Sequence, residues 1–243
     1  MNIYGHRGAA GEAPENTIAG CLHAMERGAK YLEVDLRLTA DRKFVVIHDA
    51  RVNRTTYDRG AVTKYTAAEL AKFDARRSGP PWPRKKHCGV STLDALLKAT
   101  SNARGYFLEI KSTRGISHEE TAALLATQFP DRASARKCVF VSLEQRLLHE
   151  IRGLAPHLKL GQICTTGDIM RKLGEYPFEH LLLHWSSCNP VSVMMVHRKG
   201  IKLSAWTVND PNVISSMKRI RVDNVITDYP SMAVPLLASM DRK

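Results

Sequence analysis

No two of the five cysteines (Cys21, Cys88, Cys138, Cys164 and Cys188) stand close enough to form a CxxC pair, and their number is odd. That excludes a disulfide framework and a zinc knuckle, and it leaves reduced, mostly buried small apolar residues. A run of 18 apolar residues is also missing, which excludes a membrane-spanning helix. The first residues read as a short strand rather than as a basic segment followed by an apolar one. No signal peptide is expected, and the expected location is cytoplasmic. A glycine-rich phosphate loop is lacking as well. Gly8-Ala9-Ala10-Gly11 does not have the GxGxxG spacing that an open dinucleotide-binding sheet carries after its first strand.

Charge is present, but without a nucleic-acid signature. The formal charge is +12 and the pI about 9.7, which implies an anionic partner. The cations are scattered, however, and the densest stretch, residues 76–87, is proline-rich and reads as a loop flank. The anionic partners open to such a charge are nucleic acid, phosphate esters and anionic membrane surfaces, and a loop flank fits residues 76–87 better than a DNA-binding arm does.

What the chain does have is alternation. Its 243 residues are 44% hydrophobic, enough for a substantial core. Asn2 to Gly5 reads as a strand, followed by a helix capped by Asn16 or Thr17 and closed at Gly28. Residues 50–90 have little periodicity and read as an excursion with one short helix near Ala67–Phe73. A helix capped by Ser91 or Thr92 comes next. From Gly105 onward, strands at Tyr106–Ile110, Lys137–Val141, Leu158–Ile163, His180–His184, Ile201–Trp206 and Asp223–Thr227 alternate with helices. Those helices are expected at Ser117–Gln128, Leu143–Leu154, Asp168–Leu173, Pro190–Lys199, Pro211–Lys218 and Pro230–Ser239. Eight strand-then-helix units at this length predict an α/β chain folded as a (β/α)8 TIM barrel. It forms one domain over residues 1–243, with a small insertion (about 50–90) after the second strand.

Residues 30–49 are the chemical centre of the sequence. Tyr31 to Leu38 alternates apolar and polar, Phe44 to Ile47 is apolar, and Thr39 to Arg42 is turn-like. The side-chain period of two puts Glu33, Asp35 and Arg37 on one face. Adjacent carboxylates repel unless a cation joins them, and hard oxygens favour a divalent metal. His48 then adds a proton carrier that works near neutral pH. The competing reading of this stretch is an edge hairpin with solvated charges.

Barrel enzymes do their chemistry at the C-terminal ends of the strands, and polar residues gather there. His6 and Arg7 follow the first strand; Glu109 and Lys111 share a face of the third; His184, Trp206, Asn209 and Asp228 fall at later strand ends. Glu33, Asp35 and Glu109 can cage one divalent ion. His6 and His48 can act as an acid–base pair. Arg7 and Lys111 supply fixed charge for an anion.

These residues resemble the glycerophosphodiester phosphodiesterase family. The matching stretches run in order along nearly the whole chain: Gly5-His6-Arg7-Gly8 with Pro14-Glu15-Asn16-Thr17, Glu33-Val34-Asp35, Val46-Ile47-His48-Asp49, Leu108-Glu109-Ile110-Lys111, Ala205-Trp206-Thr207-Val208-Asn209 and Ile226-Thr227-Asp228-Tyr229-Pro230. The resemblance implies a metal-dependent barrel that hydrolyses glycerophosphodiesters, such as glycerophosphocholine or glycerophosphoethanolamine, to glycerol 3-phosphate and an alcohol. It implies His6 and His48 as acid and base, in either order. Glu33, Asp35 and Glu109 become ligands of Mg²⁺ or Ca²⁺ (Mn²⁺ also fits), Arg7 and Lys111 the phosphate contacts, and Trp206 an aromatic wall near the glycerol. The nucleophile is water or the neighbouring glycerol hydroxyl. Val141-Ser142-Leu143 and Asn224 depart from the family pattern, which usually has Ser-Phe and glycine there. Trp82 and its proline-rich flank are expected to lean over the mouth and shape the alcohol pocket. The alternatives are a catalytically silent barrel that binds a phosphorylated ligand, and a related phosphodiesterase acting on lysophospholipids or sugar phosphodiesters.

Overall fold

A computed structural model of the chain describes residues 1–83, 88–165 and 177–242. Among the described residues nine strands form one sheet: β1 (Asn2–Gly5), β2 (Tyr31–Leu38), β3 (Phe44–Val46), β4 (Gly105–Ile110), β5 (Cys138–Ser142), β6 (Leu160–Cys164), β7 (His180–His184), β8 (Lys202–Trp206) and β9 (Asn224–Thr227). All but β3 run parallel, and β1 pairs with both β9 and β2, so the sheet closes into the expected barrel. The helices around it are α1 (Ile18–Glu26), α2 (Ala67–Leu70), α3 (Leu93–Ala99), α4 (His118–Gln128), α5 (Gln145–Leu154), α6 (Pro190–Arg198), α7 (Pro211–Arg219) and α8 (Pro230–Met240). The helix expected at Asp168–Leu173 lies outside the described residues.

The period of two decides what each strand shows to each side. On β2 and β4, Leu32, Val34, Leu36, Tyr106, Leu108 and Ile110 face outward into the apolar layer beneath α1, α3 and α4. The intervening positions point into the barrel, which is packed with Tyr4, Phe107, Val139, Val141, Ile163, Leu182 and Ile226. Tyr4 stacks on Phe107 with ring centroids 4.2 Å apart. This plug closes the lower barrel, so the inward polar residues above it, Glu33, Asp35 and Glu109, open only toward the mouth.

Local signals set the helix starts. The Thr17 hydroxyl accepts from Gly20 N at 2.9 Å and the Thr92 hydroxyl from Ala95 N at 3.2 Å, so the threonine is the cap in both ambiguous places. Asn189 and Asp210 cap helices that open on Pro190 and Pro211, where proline lacks only a donor the helix would not use. Most boundaries fall within one or two residues of expectation, and two of the differences have a visible cause. α5 starts at Gln145, because the Ser142 hydroxyl takes Glu144 N at 3.1 Å and holds Leu143 in the loop. α2 stops at Leu70, and Phe73 packs edge-on against Tyr65 instead of continuing the helix.

β3 is the edge element. It turns back antiparallel along the upper half of β2, pairing Leu36 with Val46 and Leu38 with Phe44. The solvated-hairpin reading therefore holds for its position but not for its carboxylates, since Glu33 and Asp35 are 4% and 1% exposed. The following insertion has a small core of its own: Val45, Ile47, Val52, Val62, Ala67, Leu70, Ala75 and Val90. Asn224 is buried at the foot of β9, where it accepts from Asn2 Nδ2 and donates to Ser204 Oγ. A glycine there would leave Ser204 and Asn2 without those partners. All five cysteines are free, and no described helix is long and apolar enough to cross a membrane.

Candidate active site

The mouth is assembled from the ends of the eight parallel strands together with the β3 hairpin. Ladder register makes Asp35 and Glu109 neighbours on adjacent strands, one step above Glu33 beside Phe107. One oxygen from each of Glu33, Asp35 and Glu109 lies within 4.8 Å of the others. Two buried carboxylates this close penalise each other's charge. Burial and then the Asp35 charge push Glu33 and Glu109 above the usual carboxylate range. Burial acts on Asp35 in the same direction, but Lys111 and Arg7 outweigh it and hold Asp35 ionised. Lys111 Nζ lies 3.0 Å from Asp35 Oδ1 and also touches Glu109; Arg7 Nε lies 3.3 Å from Asp35 Oδ2.

The turn after β1 is shaped for this cluster. Arg7 has φ 49° and Gly8 φ 87°, both left-handed, so the turn folds back over β2. A Cβ at Gly8 would come within 2.8 Å of the α1 backbone at Gly20 and Cys21, so only glycine fits against the helix. Arg7 N then donates to Glu33 Oε2 at 2.9 Å and Gly8 N to Glu33 O at 3.2 Å.

The two histidines arrive from opposite sides. His6 Nδ1 is 2.6 Å from Asp228 Oδ1, and the other Asp228 oxygen accepts from Asn209 Nδ2 at 2.6 Å. The carboxylate fixes the ring with Nδ1–H outward, and Nε2 sits 3.9 Å from Glu33 Oε2. Burial pulls His6 down, yet the Asp228 bond and the Glu33 charge prevail and raise it. His48 is delivered by the hairpin: Ile47 N donates to Asp35 O at 3.0 Å, and Arg37 Nε holds the His48 carbonyl at 2.7 Å. Its Nδ1 is 2.7 Å from Asp49 Oδ1. Burial leaves His48 below the usual imidazole value despite the Asp35 charge.

These residues line a cavity of about 240 Å³ with two unlike walls. His6, Arg7, Glu33, His48, Glu109 and Lys111 form the polar wall; Val141, Leu143, Ile163, Leu182, Trp206 and Ile226 form the apolar one. Trp206 donates Nε1–H to Leu182 O at 3.2 Å, which holds its ring within the cavity wall. The expected site residues therefore meet in one cavity, Asp35 lying behind Arg7 and Lys111.

Three sequence readings change. His184 does not join the cavity; it bonds Ser186 and caps the short turn after β7. No described residue of the insertion lines the cavity, and Trp82 packs edge-on against His23 of α1, 5.6 Å between centroids. Asn16, read as a candidate cap, instead clamps Asp35. Its amide donates to Asp35 Oδ2 at 2.7 Å and its carbonyl accepts from Asp35 N at 3.1 Å, with Asn16 itself at φ 55°.

The sequence profile of the Glycerophosphoryl diester phosphodiesterase family matches residues 6–232. A glycerophosphodiester phosphodiesterase of Caldanaerobacter subterraneus subsp. tengcongensis is 31% identical over 243 residues, covering 97% of each chain. One from Bacillus altitudinis is 28% identical over 250 residues, covering 98% of each. The structure of an Oleispira antarctica phosphodiesterase in complex with the product sn-glycerol-3-phosphate superposes with a TM-score of 0.82 at 25% identity, over 98% of this chain and 97% of that one. The chain belongs to the glycerophosphoryl diester phosphodiesterase family.

Proposed function

We propose that the chain, working as a single barrel domain in the cytoplasm, hydrolyses water-soluble glycerophosphodiesters of the glycerophosphocholine and glycerophosphoethanolamine kind to glycerol 3-phosphate and the free alcohol. A divalent ion, Mg²⁺ or Ca²⁺ with Mn²⁺ also accommodated, is the cofactor, and His6 and His48 are the acid–base pair. The observation that carries the reading is the three-carboxylate cluster flanked by two histidines, each tied through Nδ1 to its own carboxylate. The donor set fits the ion. Three hard oxygens without thiolate or imidazole suit Mg²⁺, Ca²⁺ or Mn²⁺, and a cation among them would relieve the cost of burial, and then of the Asp35 charge, that pushes Glu33 and Glu109 up.

In this mechanism Glu33, Asp35 and Glu109 hold the ion, which when bound supplies Lewis-acid neutralisation of a phosphodiester oxygen. Arg7 and Lys111 hold the remaining phosphoryl oxygens, where negative charge grows in the transition state. One histidine takes, at Nε2, the proton of the attacking water or of the neighbouring glycerol hydroxyl, the latter giving a cyclic phosphate that water then opens to glycerol 3-phosphate. The other, already protonated, gives its proton to the departing alkoxide. Asp228 and Asp49 keep the two Nδ1–H groups turned away from the cavity, so each ring works through Nε2. Trp206 and the apolar wall exclude water from one side of the scissile ester.

The test is release of glycerol 3-phosphate from a panel of glycerophosphodiesters, followed by a coupled assay with and without chelator. Turnover of the choline or ethanolamine diester that stops with chelator is expected. A panel with no turnover, or turnover confined to lysophospholipids or sugar phosphodiesters, would reject the substrate class.

A further inference from the structure

Arg54 lies outside the cavity, 41% exposed at the side chain, yet it connects two parts of the polar wall. Its guanidinium makes two forks. Nε and Nη2 donate to Asp49 Oδ2 and Oδ1 at 2.9 and 3.0 Å, and Nη1 and Nη2 donate to Glu15 Oε2 and Oε1 at 2.6 and 2.8 Å. Asp49 is the carboxylate on His48 Nδ1, and Glu15 Oε1 accepts from Arg7 Nη1 at 2.9 Å. A continuous path therefore runs His48–Asp49–Arg54–Glu15–Arg7, from a proton carrier to a phosphate-binding cation.

The turn that carries Arg54 is held firmly. Val52, Thr55 and Thr56 are buried, and the Thr56 hydroxyl donates to Val52 O at 2.9 Å. Arg77 reaches back, with Nη1 donating to Asn53 O at 2.7 Å and its backbone N to Thr55 O at 3.1 Å. A planar fork with fixed donors suits two carboxylates at once, which a lysine ammonium cannot match.

We infer that Arg54 is a positioning residue. Through one fork it fixes Asp49 and so the orientation of His48, and through the other it fixes Glu15 and so the aim of Arg7. The insertion thus contributes to the site from behind the polar wall, by supplying this one guanidinium, rather than from above the mouth. The inference rests on the roles assigned to His48 and Arg7 in the proposed function.

Steady-state kinetics on glycerophosphocholine separate the two branches. Asp49→Asn is expected to act mainly on kcat, Glu15→Gln mainly on KM, and Arg54→Gln on both, each by about 10- to 100-fold, the usual cost of losing a partner one shell out. Asp49→Asn combined with Arg54→Gln should lower kcat no further than the worse single variant, because both act by one route. Arg54→Lys keeps the charge, and it should keep the fold while remaining impaired in both constants; it stands in if Arg54→Gln does not fold. His48→Ala and Arg7→Gln are measured beside them. If these two are unimpaired, the roles of His48 and Arg7 fail and the inference with them. If these two are impaired but Arg54→Gln and Arg54→Lys keep kcat and KM within about twofold, or if the losses of Asp49→Asn and Arg54→Gln multiply, the inference alone is overturned.

Discussion

The side-chain amide of Asn16 holds Asp35 from both ends, donating to its carboxylate at 2.7 Å and accepting from its backbone nitrogen at 3.1 Å. Asn16 pays for this with a left-handed backbone, φ 55°, which asparagine tolerates better than most residues. Asn16→Gly keeps that backbone accessible and removes only the clamp. It is expected to weaken divalent-ion affinity by about 10- to 100-fold, read by titration calorimetry on the metal-stripped protein. An unchanged affinity would mean that Asp35 needs no such support.

Loss of either histidine should be severe and unequal across substrates. His6→Ala and His48→Ala are each expected to lower kcat on a natural diester by about 10²- to 10⁴-fold. A nitrophenyl phosphodiester, whose leaving group needs little protonation, should restore the variant that lost the acid and not the one that lost the base. The rescue pattern assigns the two roles. If neither variant loses more than a few-fold while still binding metal, the two-histidine mechanism is wrong.

Chelation should abolish activity, and readdition should discriminate among ions. Mg²⁺, Ca²⁺ or Mn²⁺ should restore turnover better than Zn²⁺, because the candidate ligands are all carboxylates. Full activity in a rigorously stripped sample would refute metal dependence.

Acid should destabilise the barrel through His180, far from the chemistry. This ring is buried at the foot of β7, edge-on to Phe107, and burial lowers its pKa from 6.5 to about 4. A histidine depressed in the fold contributes fully above its unfolded pKa, and the contribution is lost as pH falls toward the folded one. Stability should therefore fall by about 3 kcal/mol between pH 6.5 and 4 from this group, at about 1.4 kcal/mol per unit. Urea unfolding at several pH values would show it, and His180→Leu should flatten that part of the profile. A His180 ring that titrates near 6.5 by NMR would contradict the argument.

Much of this was legible from periodicity. Inward Glu33, Asp35, Glu109 and outward Leu32, Val34, Leu108 follow from one rule about strands, and the barrel follows from counting units. What stayed hidden depends on pairings across large sequence gaps. Asn16 precedes a helix, as a cap does, and only the fold shows its amide spent on Asp35, 19 residues away. Arg54 and Glu15 are 39 residues apart, with no local pattern to join them. The destination of Trp82, beside the His23 ring 59 positions earlier, depended on a contact that no sequence window reports. Asp228 stood at a strand end in plain view, but its partner, His6, lies at the other end of the chain.

That last separation has a consequence for how the protein is made. His6 and Asp228 are 222 residues apart and touch only because β9 closes the barrel against β1. A ring closes with its last strand, and contacts of such long range form late because the chain entropy they cost is only then repaid. During synthesis, the carboxylate that orients His6 emerges after all the other groups of the polar wall. A nascent or truncated chain can gather every ligand carboxylate on β2 and β4 and still lack an oriented His6. Competence for catalysis is thereby tied to synthesis and docking of the last barrel strand.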